Sequence, residues 1–171
     1  LILGRKGSKG VIDKNTMNIL DKPAYSYAFS AAKESNFVKD IFVSSDHPTI
    51  LAEAKKENFY IIERPKELCT DEALFEDALI HAYHEAKKRT NYLPQYVVIL
   101  MCNAITINGE LIDEGIKLLI NDKNADSAVT VSIFNMYSPL RARRMNENGY
   151  LDPFVPFEFF GDPATLNCDR D

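Results

Sequence analysis

Short apolar runs alternate with amphipathic stretches along the first 135 residues of the chain. The apolar runs favour buried strands because they are short and include β-branched and aromatic side chains. They cover 1–3, 40–44, 59–62, 96–101 and 127–134. Between them, apolar residues recur at helical spacing, which predicts helices over 23–35, 49–58, 73–89 and 110–120. Thr70 or Asp71 is a candidate cap for the third of these helices. Strands alternating with helices predict a three-layer α/β fold with a mostly parallel sheet.

The pattern changes after Met136, where an arginine-rich stretch, a turn signal and an aromatic, proline-containing tail follow one another. Asn146 to Gly149 predicts the turn of a hairpin, and 153–163 predicts extended segments. We therefore expect an α/β domain over 1–135 and a hairpin extension over 136–171. The aromatic cluster of the tail is too dense to stay exposed in a soluble monomer, which predicts a homodimer contact. Its members are Phe154, Phe157, Phe159 and Phe160.

The arginines of the extension are interpreted as a subunit contact or a solvated strand face, with recognition of a carboxylate as the alternative. They are Arg141, Arg143 and Arg144.

Composition and charge exclude several classes of partner. The chain has 171 residues, of which 46% are hydrophobic, and its net charge is -5. Such a charge disfavours a nucleic acid or an anionic membrane as a partner, and no apolar run approaches the roughly 18 residues of a membrane span. The cysteines lack the paired spacing of a metal or redox site, which predicts reduced thiols and a cytoplasmic protein. The abrupt apolar start and the polar end without a stop signal lead us to expect truncation at either end.

A basic loop, Gly4 to Asn15, follows the first predicted strand, where an open α/β sheet places its ligand site. Its glycines let backbone N–H groups approach an anion, and Ser8 adds a hydroxyl donor. Arg5, Lys9 and Lys14 can neutralise several phosphate oxygens. The loop matches neither GxxxxGK[ST] nor GxGxxG. It therefore predicts a triphosphate site of another type, with a solvated basic turn as the alternative.

Two further groups of side chains are candidates for a site. Asp46 follows the second strand and could contact a ribose, a metal or the basic loop; its alternative is a helix cap before Pro48. His81 and His84 stand three apart on a predicted helix beside Glu85, a spacing that suits a metal face. The structural interpretation of the histidines is favoured because no third ligand is evident.

The basic loop resembles the signature of the acylneuraminate cytidylyltransferases, also called CMP-sialic acid synthetases, and of their CMP-Kdo synthetase relatives. The matching residues are Arg5, Ser8, Lys9, Lys14 and Asn15. The resemblance covers about residues 1–155. It continues through Lys22–Pro23, Tyr27, Val43–Asp46, Arg64–Asp71 and Ala125–Val131.

The resemblance implies a Rossmann-like nucleotidyltransferase fold and transfer of CMP from CTP to an acidic, nonulosonate-type sugar, with release of pyrophosphate. It implies that the five matching residues of the basic loop contact the triphosphate, with Arg5, Lys9 and Lys14 in catalytic roles. It also implies that Arg64 and Ala73 approach the base and ribose, that Mg²⁺ assists, and that the protein dimerises. Neither Asp162 nor Asp169 can be assigned as a metal ligand.

The chain departs from the family pattern at two places. Met101 stands where the family carries a sugar-contacting glutamine, so Asn103 becomes a candidate substrate contact, with a strand-end turn residue as the alternative. Leu74 and Phe75 stand where the family carries small hydroxyl residues. GTP or another triphosphate, with a sugar phosphate as acceptor, is therefore an alternative to CTP. A catalytically degenerate nucleotide-binding domain and a purely structural assembly module are further alternatives.

Overall fold

Strands and helices alternate through most of the chain. The computed structural model describes residues 1–7, 11–131 and 143–156. In chain order its elements are β1 (Ile2–Gly4), β2 (Asn18–Ile19), β3 (Lys22–Pro23), α1 (Ala24–Glu34), β4 (Phe42–Ser45), α2 (Pro48–Lys56), β5 (Tyr60–Glu63), a 3-10 helix (Lys66–Leu68), α3 (Phe75–Arg89), β6 (Leu100–Met101), α4 (Gly109–Asn121), β7 (Arg143–Met145) and β8 (Leu151–Pro153). The predicted helices are confirmed to within one or two residues at each end.

The central sheet of the described residues has four parallel strands in the order β5-β4-β1-β6. Ile2 of β1 pairs with Val43 of β4 on one side and with Leu100 of β6 on the other. Parallel neighbours require crossover connections, and helices α1, α2 and α3 supply them. The predicted α/β fold with a parallel sheet is therefore confirmed, and the carboxyl ends of β1, β4, β5 and β6 meet at one edge.

Two apolar clusters cover the two faces of this sheet. Ile2 belongs to a cluster with residues of α1, α2 and α4, whereas its neighbour Leu3 belongs to a cluster with the alanines of α3. Successive residues of a strand point to opposite faces, so β1 contributes to both clusters. Ala78, Ala82 and Ala86 let α3 lie close to the sheet. The sheet therefore lies between α1, α2 and α4 on one face and α3 on the other, which is the predicted three-layer arrangement.

Helices α1 and α4 touch where Gly109 begins α4. A Cβ at Gly109 would lie 2.7 Å from the Glu34 carbonyl carbon and 2.9 Å from the Ser35 nitrogen. One turn further along α4, the buried Asp113 carboxylate accepts hydrogen bonds from the Ser35 hydroxyl at 2.6 Å and from the Asn36 side chain at 2.6 Å. These bonds lower the pKa of Asp113. The contact fixes the two helices on the same face of the sheet.

Three expectations about local structure are corrected. Helix α3 begins at Phe75 rather than Ala73, and its N-cap is Leu74 with no side-chain hydrogen bond, so the predicted cap by Thr70 or Asp71 is wrong. Of the predicted strand 96–101, the sheet takes only Leu100 and Met101. Residues 127–131 are not a strand, and the rest of the segment predicted to 134 lies outside the described residues.

The end of the chain contains the predicted hairpin. Strands β7 and β8 are antiparallel, with Arg144 opposite Asp152, and the turn between them includes Gly149 at a φ of 78°. The chain divides into two units, Leu1–Val129 and Thr130–Asp171. Phe154 is 61% exposed. The other predicted dimer aromatics and Arg141 lie outside the described residues, so the dimer stays a prediction.

None of the described helices has the length and the apolar composition that crossing a bilayer requires.

Candidate functional site

A cavity of about 190 Å³ opens at the carboxyl ends of β1 and β6, within the unit Leu1–Val129. It lies where open α/β sheets bind their ligands. Polar side chains from separate segments line it. They are Arg5, Lys14, Asn15, Arg64 and Asn103. Each was predicted as a site residue, and the fold brings all of them to one cavity, which we call the site cavity. Ala73 lines it too. Ser8 and Lys9 lie outside the described residues.

Gly4 determines how closely β1 approaches β6 at the floor of the site cavity. A Cβ at this position would lie 2.5 Å from the Cys102 Sγ and 2.6 Å from the Cys102 Cβ. The Cys102 amide donates to the Leu3 carbonyl at 2.8 Å, which holds the two segments in register. Only a glycine fits here without moving the backbone.

Arg5 leaves β1 and reaches across to a separate loop. Its Nη2 donates to the Asp71 Oδ1 at 2.5 Å, and its Nη1 donates to the Gly7 carbonyl at 3.2 Å. The side chains of Arg5 and Asp71 keep about 31% and 30% of their surface exposed. The guanidinium is therefore oriented at the cavity, yet remains accessible to a ligand.

Asn15 braces the basic loop. Its side-chain Nδ2 donates to the Arg5 carbonyl at 2.9 Å. Its backbone carbonyl accepts at 2.9 Å from the amide of Tyr25, at the start of α1. Asn15 is 6% exposed, and among the described residues its Oδ1 has no hydrogen-bond partner. The asparagine thus connects the residue that follows β1 to the start of α1, and Lys14 is its neighbour in the chain.

Arg64 is fixed by the sheet itself. Its amide donates to the Ser45 carbonyl at 3.1 Å, and its Nη2 donates to the Ser44 carbonyl at 3.1 Å. Burial lowers the pKa of the Arg64 guanidinium, which nevertheless stays a cation at neutral pH because an arginine ordinarily loses its proton only in strongly basic solution. Arg64 therefore presents a partly desolvated positive charge to the site cavity.

The Asp46 side chain forms a hydrogen bond with the basic loop and does not cap a helix. Its Oδ1 accepts from the Lys6 amide at 2.7 Å, which is the loop contact that the sequence predicted as one possibility. The alternative of a helix cap is wrong, because the Nδ1 of His47 accepts from the Thr49 amide and caps α2. Asp46 does not line the site cavity. A ribose or metal contact of Asp46 stays a prediction.

An apolar wall completes the site cavity. Leu68, Leu74, Phe75 and Met101 line it, and the last three are at least 39% exposed. Exposed apolar side chains grouped at a cavity are typical of a ligand site. Leu74, Phe75 and Met101 are the positions at which the sequence departs from the family pattern, so the departures are concentrated at this cavity.

Sequence reasoning missed the contact between Arg5 and Asp71. The two residues are 66 positions apart. Nothing in the local sequence connects them, and Asp71 was interpreted as a helix cap. Leu68 was missed for a similar reason, since it lies on a short 3-10 helix whose apolar face has no periodic signal.

The other chemical candidates form no site in the part of the chain that the structure describes. No group of three His, Cys, Asp or Glu side chains there could hold a metal ion, so His81 and His84 have no third ligand among the described residues. Cys69 and Cys102 are free thiols. Burial raises the pKa of Cys102 to about 12, so this thiol is not a nucleophile at neutral pH.

A larger cavity of about 460 Å³ lies at the opposite, amino-terminal edge of the sheet. We call it the amino-edge cavity. Its walls are mainly apolar residues such as Phe37, Val38 and Val98, and its cations are Lys39 and Lys87. It shares no residue with the site cavity. Its position and lining do not suit a triphosphate, since ligands of open α/β sheets bind at the carboxyl edge.

The comparison with protein families identifies the family of the chain. A family profile described as cytidylyltransferase matches residues 1–140. The chain belongs to the cytidylyltransferase family. The family match covers β1, the basic loop, Arg64 and Asn103, which are the elements that build the site cavity.

The curated relatives that match part of the chain are also named cytidylyltransferases. The chain is 34% identical over 82 residues to the N-acylneuraminate cytidylyltransferase of Escherichia coli O18:K1:H7 (strain RS218 / NMEC), which covers 48% of this chain and 20% of that protein. It is 37% identical over 81 residues to the enzyme of the same name from Streptococcus agalactiae serotype III (strain NEM316), which covers 46% of this chain and 20% of that protein. The matches thus span about a fifth of the length of these relatives.

A solved structure shares the fold. It is the structure of CMP:2-keto-3-deoxy-manno-octonic acid synthetase complexed with CTP, which aligns with a TM-score of 0.56 at 17% sequence identity. The alignment covers 71% of this chain and 46% of that chain. At this identity the similarity establishes the fold.

Proposed function

We propose that the protein transfers CMP from CTP to an acidic, nonulosonate-type sugar and releases pyrophosphate. The observation that carries the proposal is the convergence of Arg5, Lys14 and Arg64 on one cavity at the carboxyl edge of the sheet. None of the described residues that line the cavity is acidic, although the Arg5 guanidinium is paired with Asp71 beside it. This excess of positive charge at the cavity suits a triphosphate. Membership of the cytidylyltransferase family and the names of the curated relatives support CTP and an acidic sugar.

The proposed chemistry needs the site to stabilise charge on the phosphate oxygens. A hydroxyl of the sugar attacks the α-phosphorus and loses its proton to solvent. A new oxygen–phosphorus bond forms, and the bond from the α-phosphorus to the bridging oxygen breaks, so that pyrophosphate leaves. Negative charge grows on the leaving pyrophosphate. The Arg64 guanidinium is already oriented by its hydrogen bond to the Ser44 carbonyl, and Arg5 and Lys14 line the same cavity, so three cations are available to stabilise this charge. Lys9 has the same proposed role, carried by the family resemblance.

The base and ribose are proposed to lie along the apolar wall. Ala73 and Leu74 line the site cavity beside Phe75, and Arg64 lies at the same cavity. Asn103 lines the cavity next to Met101 and is the proposed sugar contact. An amide can donate and accept hydrogen bonds with sugar hydroxyls, which Met101 cannot do.

Mg²⁺ is a proposed cofactor of the reaction because it commonly supports transfer at phosphates. The described residues do not supply a ready ligand set for it. Asp46 accepts from the Lys6 amide, and Asp71 is bound to Arg5. The proposed role of the chain's own residues therefore rests on the cations, and the metal ligands remain unassigned. The homodimer and the cytoplasmic location likewise remain predictions.

Pyrophosphate release by the full-length protein tests the proposed function. The assay combines Mg²⁺, each of the four nucleoside triphosphates and a panel of acidic sugars and sugar phosphates. We expect release with CTP and a nonulosonate. Release with GTP and a sugar phosphate would establish the alternative that Leu74 and Phe75 motivate. Binding of a triphosphate without release from any pair would establish a degenerate domain.

A matched pair of variants locates the activity. Arg64→Ala removes a cation that lines the site cavity, whereas Lys66→Ala removes an exposed cation of the 3-10 helix that does not line it. We expect loss of release in the first variant and ordinary release in the second. Equal activity of the two variants would contradict the assignment of this cavity. Loss of nucleotide binding on Arg5→Ala would in addition exclude the purely structural module.

A further inference from the structure

An ion pair joins two loops beside the site cavity. Arg5 lines the cavity and donates to the Asp71 carboxylate at 2.5 Å. Asp71 itself does not line the cavity, but it lies two residues before Ala73, which does. The guanidinium that we propose for phosphate binding is thus bound to an anion of the protein itself. This inference rests on the proposed function.

A carboxylate and a phosphate compete for the same donors of a guanidinium. A carboxylate is planar and a phosphate group is tetrahedral, but each presents a pair of oxygens that can accept from the N–H groups of an arginine. The pair is partly exposed, with about 31% and 30% of the two side-chain surfaces open to solvent. Exchange of one oxygen anion for another is therefore sterically possible. An exposed pair of this kind contributes little stability, so a phosphate can displace the carboxylate at a small cost.

We infer that Asp71 is a positioning residue that serves as an internal anion for Arg5. Its carboxylate holds the guanidinium at the site cavity when no phosphate is bound and takes it back as pyrophosphate leaves. Asp71 thus weakens the binding of phosphate ligands and assists release of the product. Its effect rises with the negative charge of the ligand, because the carboxylate also repels that charge directly.

Equilibrium binding to the full-length protein tests this inference. The ligands are CTP, inorganic pyrophosphate and uncharged cytidine, each without sugar, and the variant is Asp71→Asn. We expect Kd for CTP and for pyrophosphate to fall by about threefold, the size of one exposed ion pair. Kd for cytidine should not change. In turnover, pyrophosphate should become a stronger product inhibitor.

The control variant removes a negative charge from the neighbouring residue, Glu72. Glu72 is exposed, and among the described residues the Arg5 guanidinium bonds to Asp71 and Gly7 rather than to Glu72. Glu72→Gln should leave all three dissociation constants unchanged, and Asp71→Glu should restore the pyrophosphate affinity of the wild type. If Asp71→Asn is poorly folded, Asp71→Ser provides the same removal of charge with a smaller side chain.

Two outcomes separate this inference from the proposed function. If the wild-type protein binds CTP and pyrophosphate but Asp71→Asn leaves both constants unchanged or raises them, the internal anion is refuted and the proposed function stands. If the wild-type protein binds neither ligand, the proposed function itself is refuted.

Discussion

Replacement of Gly4 by alanine is expected to damage both the core and the site. The new Cβ would lie 2.6 Å from the Cys102 Cβ, about 1 Å closer than the best carbon–carbon separation of about 3.5 Å. The Cys102 Sγ, at 2.5 Å from the new Cβ, can rotate away. The Cys102 Cβ cannot, because the hydrogen bond from the Cys102 amide to the Leu3 carbonyl holds the backbone in place. Asn15 closes the remaining side, with its Nδ2 at 3.2 Å. Relief therefore requires a shift of β1 against β6.

The expected cost is about 2 to 3 kcal/mol, at the upper part of the range for overpacked cores, because backbone rather than a flexible side chain must move. Urea unfolding of the full-length protein measures it, and CTP binding in the same variant measures the effect on the site. Cys102→Gly removes both clashing atoms, so Gly4→Ala should cost much less in that background. A change below about 0.5 kcal/mol in the wild-type background would refute the reasoning.

Three further changes test other parts of the structure. Gly109→Ala should destabilise the protein by about 1 to 3 kcal/mol in urea unfolding, because its Cβ would meet the backbone of α1. Arg64→Lys should weaken CTP binding by about tenfold or more in a titration, because an ammonium cannot keep the bond to the Ser44 carbonyl and also contact phosphate as a guanidinium does. Asp113→Asn should flatten the acid side of the stability profile. The pKa of Asp113 is lowered in the folded protein, so its contribution is present above its ordinary value of 3.8 and is lost as the pH falls through the lower folded value.

Matched controls accompany these changes. Gly115→Ala lies on the same helix as Gly109, but its Cβ would meet only the Ala128 Cβ at 3.9 Å, so it should stabilise the protein by up to about 1 kcal/mol. Equal destabilisation by the two alanines would contradict the packing argument. Unchanged CTP affinity in Arg64→Lys would remove Arg64 from the nucleotide site. An acid profile that Asp113→Asn leaves unaltered would show that this carboxylate is not the group that titrates.

Most of the α/β architecture could be predicted because its signal is local. The apolar run that begins the chain and the helical spacing of α1 and α4 each depend on residues that are close in sequence. Arg5 and Lys14 were predicted at the site because their loop follows the first strand at the carboxyl edge of the sheet, whereas Arg64 was predicted only from the family resemblance.

The features that could not be predicted depend on contacts between residues that are far apart in the chain. Asp71 looks like a helix cap, but its carboxylate is bound to Arg5, which lies 66 residues away. Asp46 looks like the cap of α2, yet the adjacent His47 fills that role while Asp46 holds the Lys6 amide. The apolar run before β6 predicts a longer strand, whereas a residue joins a sheet only where a neighbouring strand pairs with it. Composition does not contain that information.

A crystal structure of the full-length protein with CTP tests the central claim most directly. We predict that the triphosphate lies in the site cavity, with its oxygens within hydrogen-bonding distance of Arg5 and Lys14. We also predict that the Arg5 guanidinium has left Asp71 and that the base lies against the wall formed by Leu74 and Phe75. CTP bound in the amino-edge cavity, or at the carboxyl edge without contact to Arg5 and Arg64, would contradict the account.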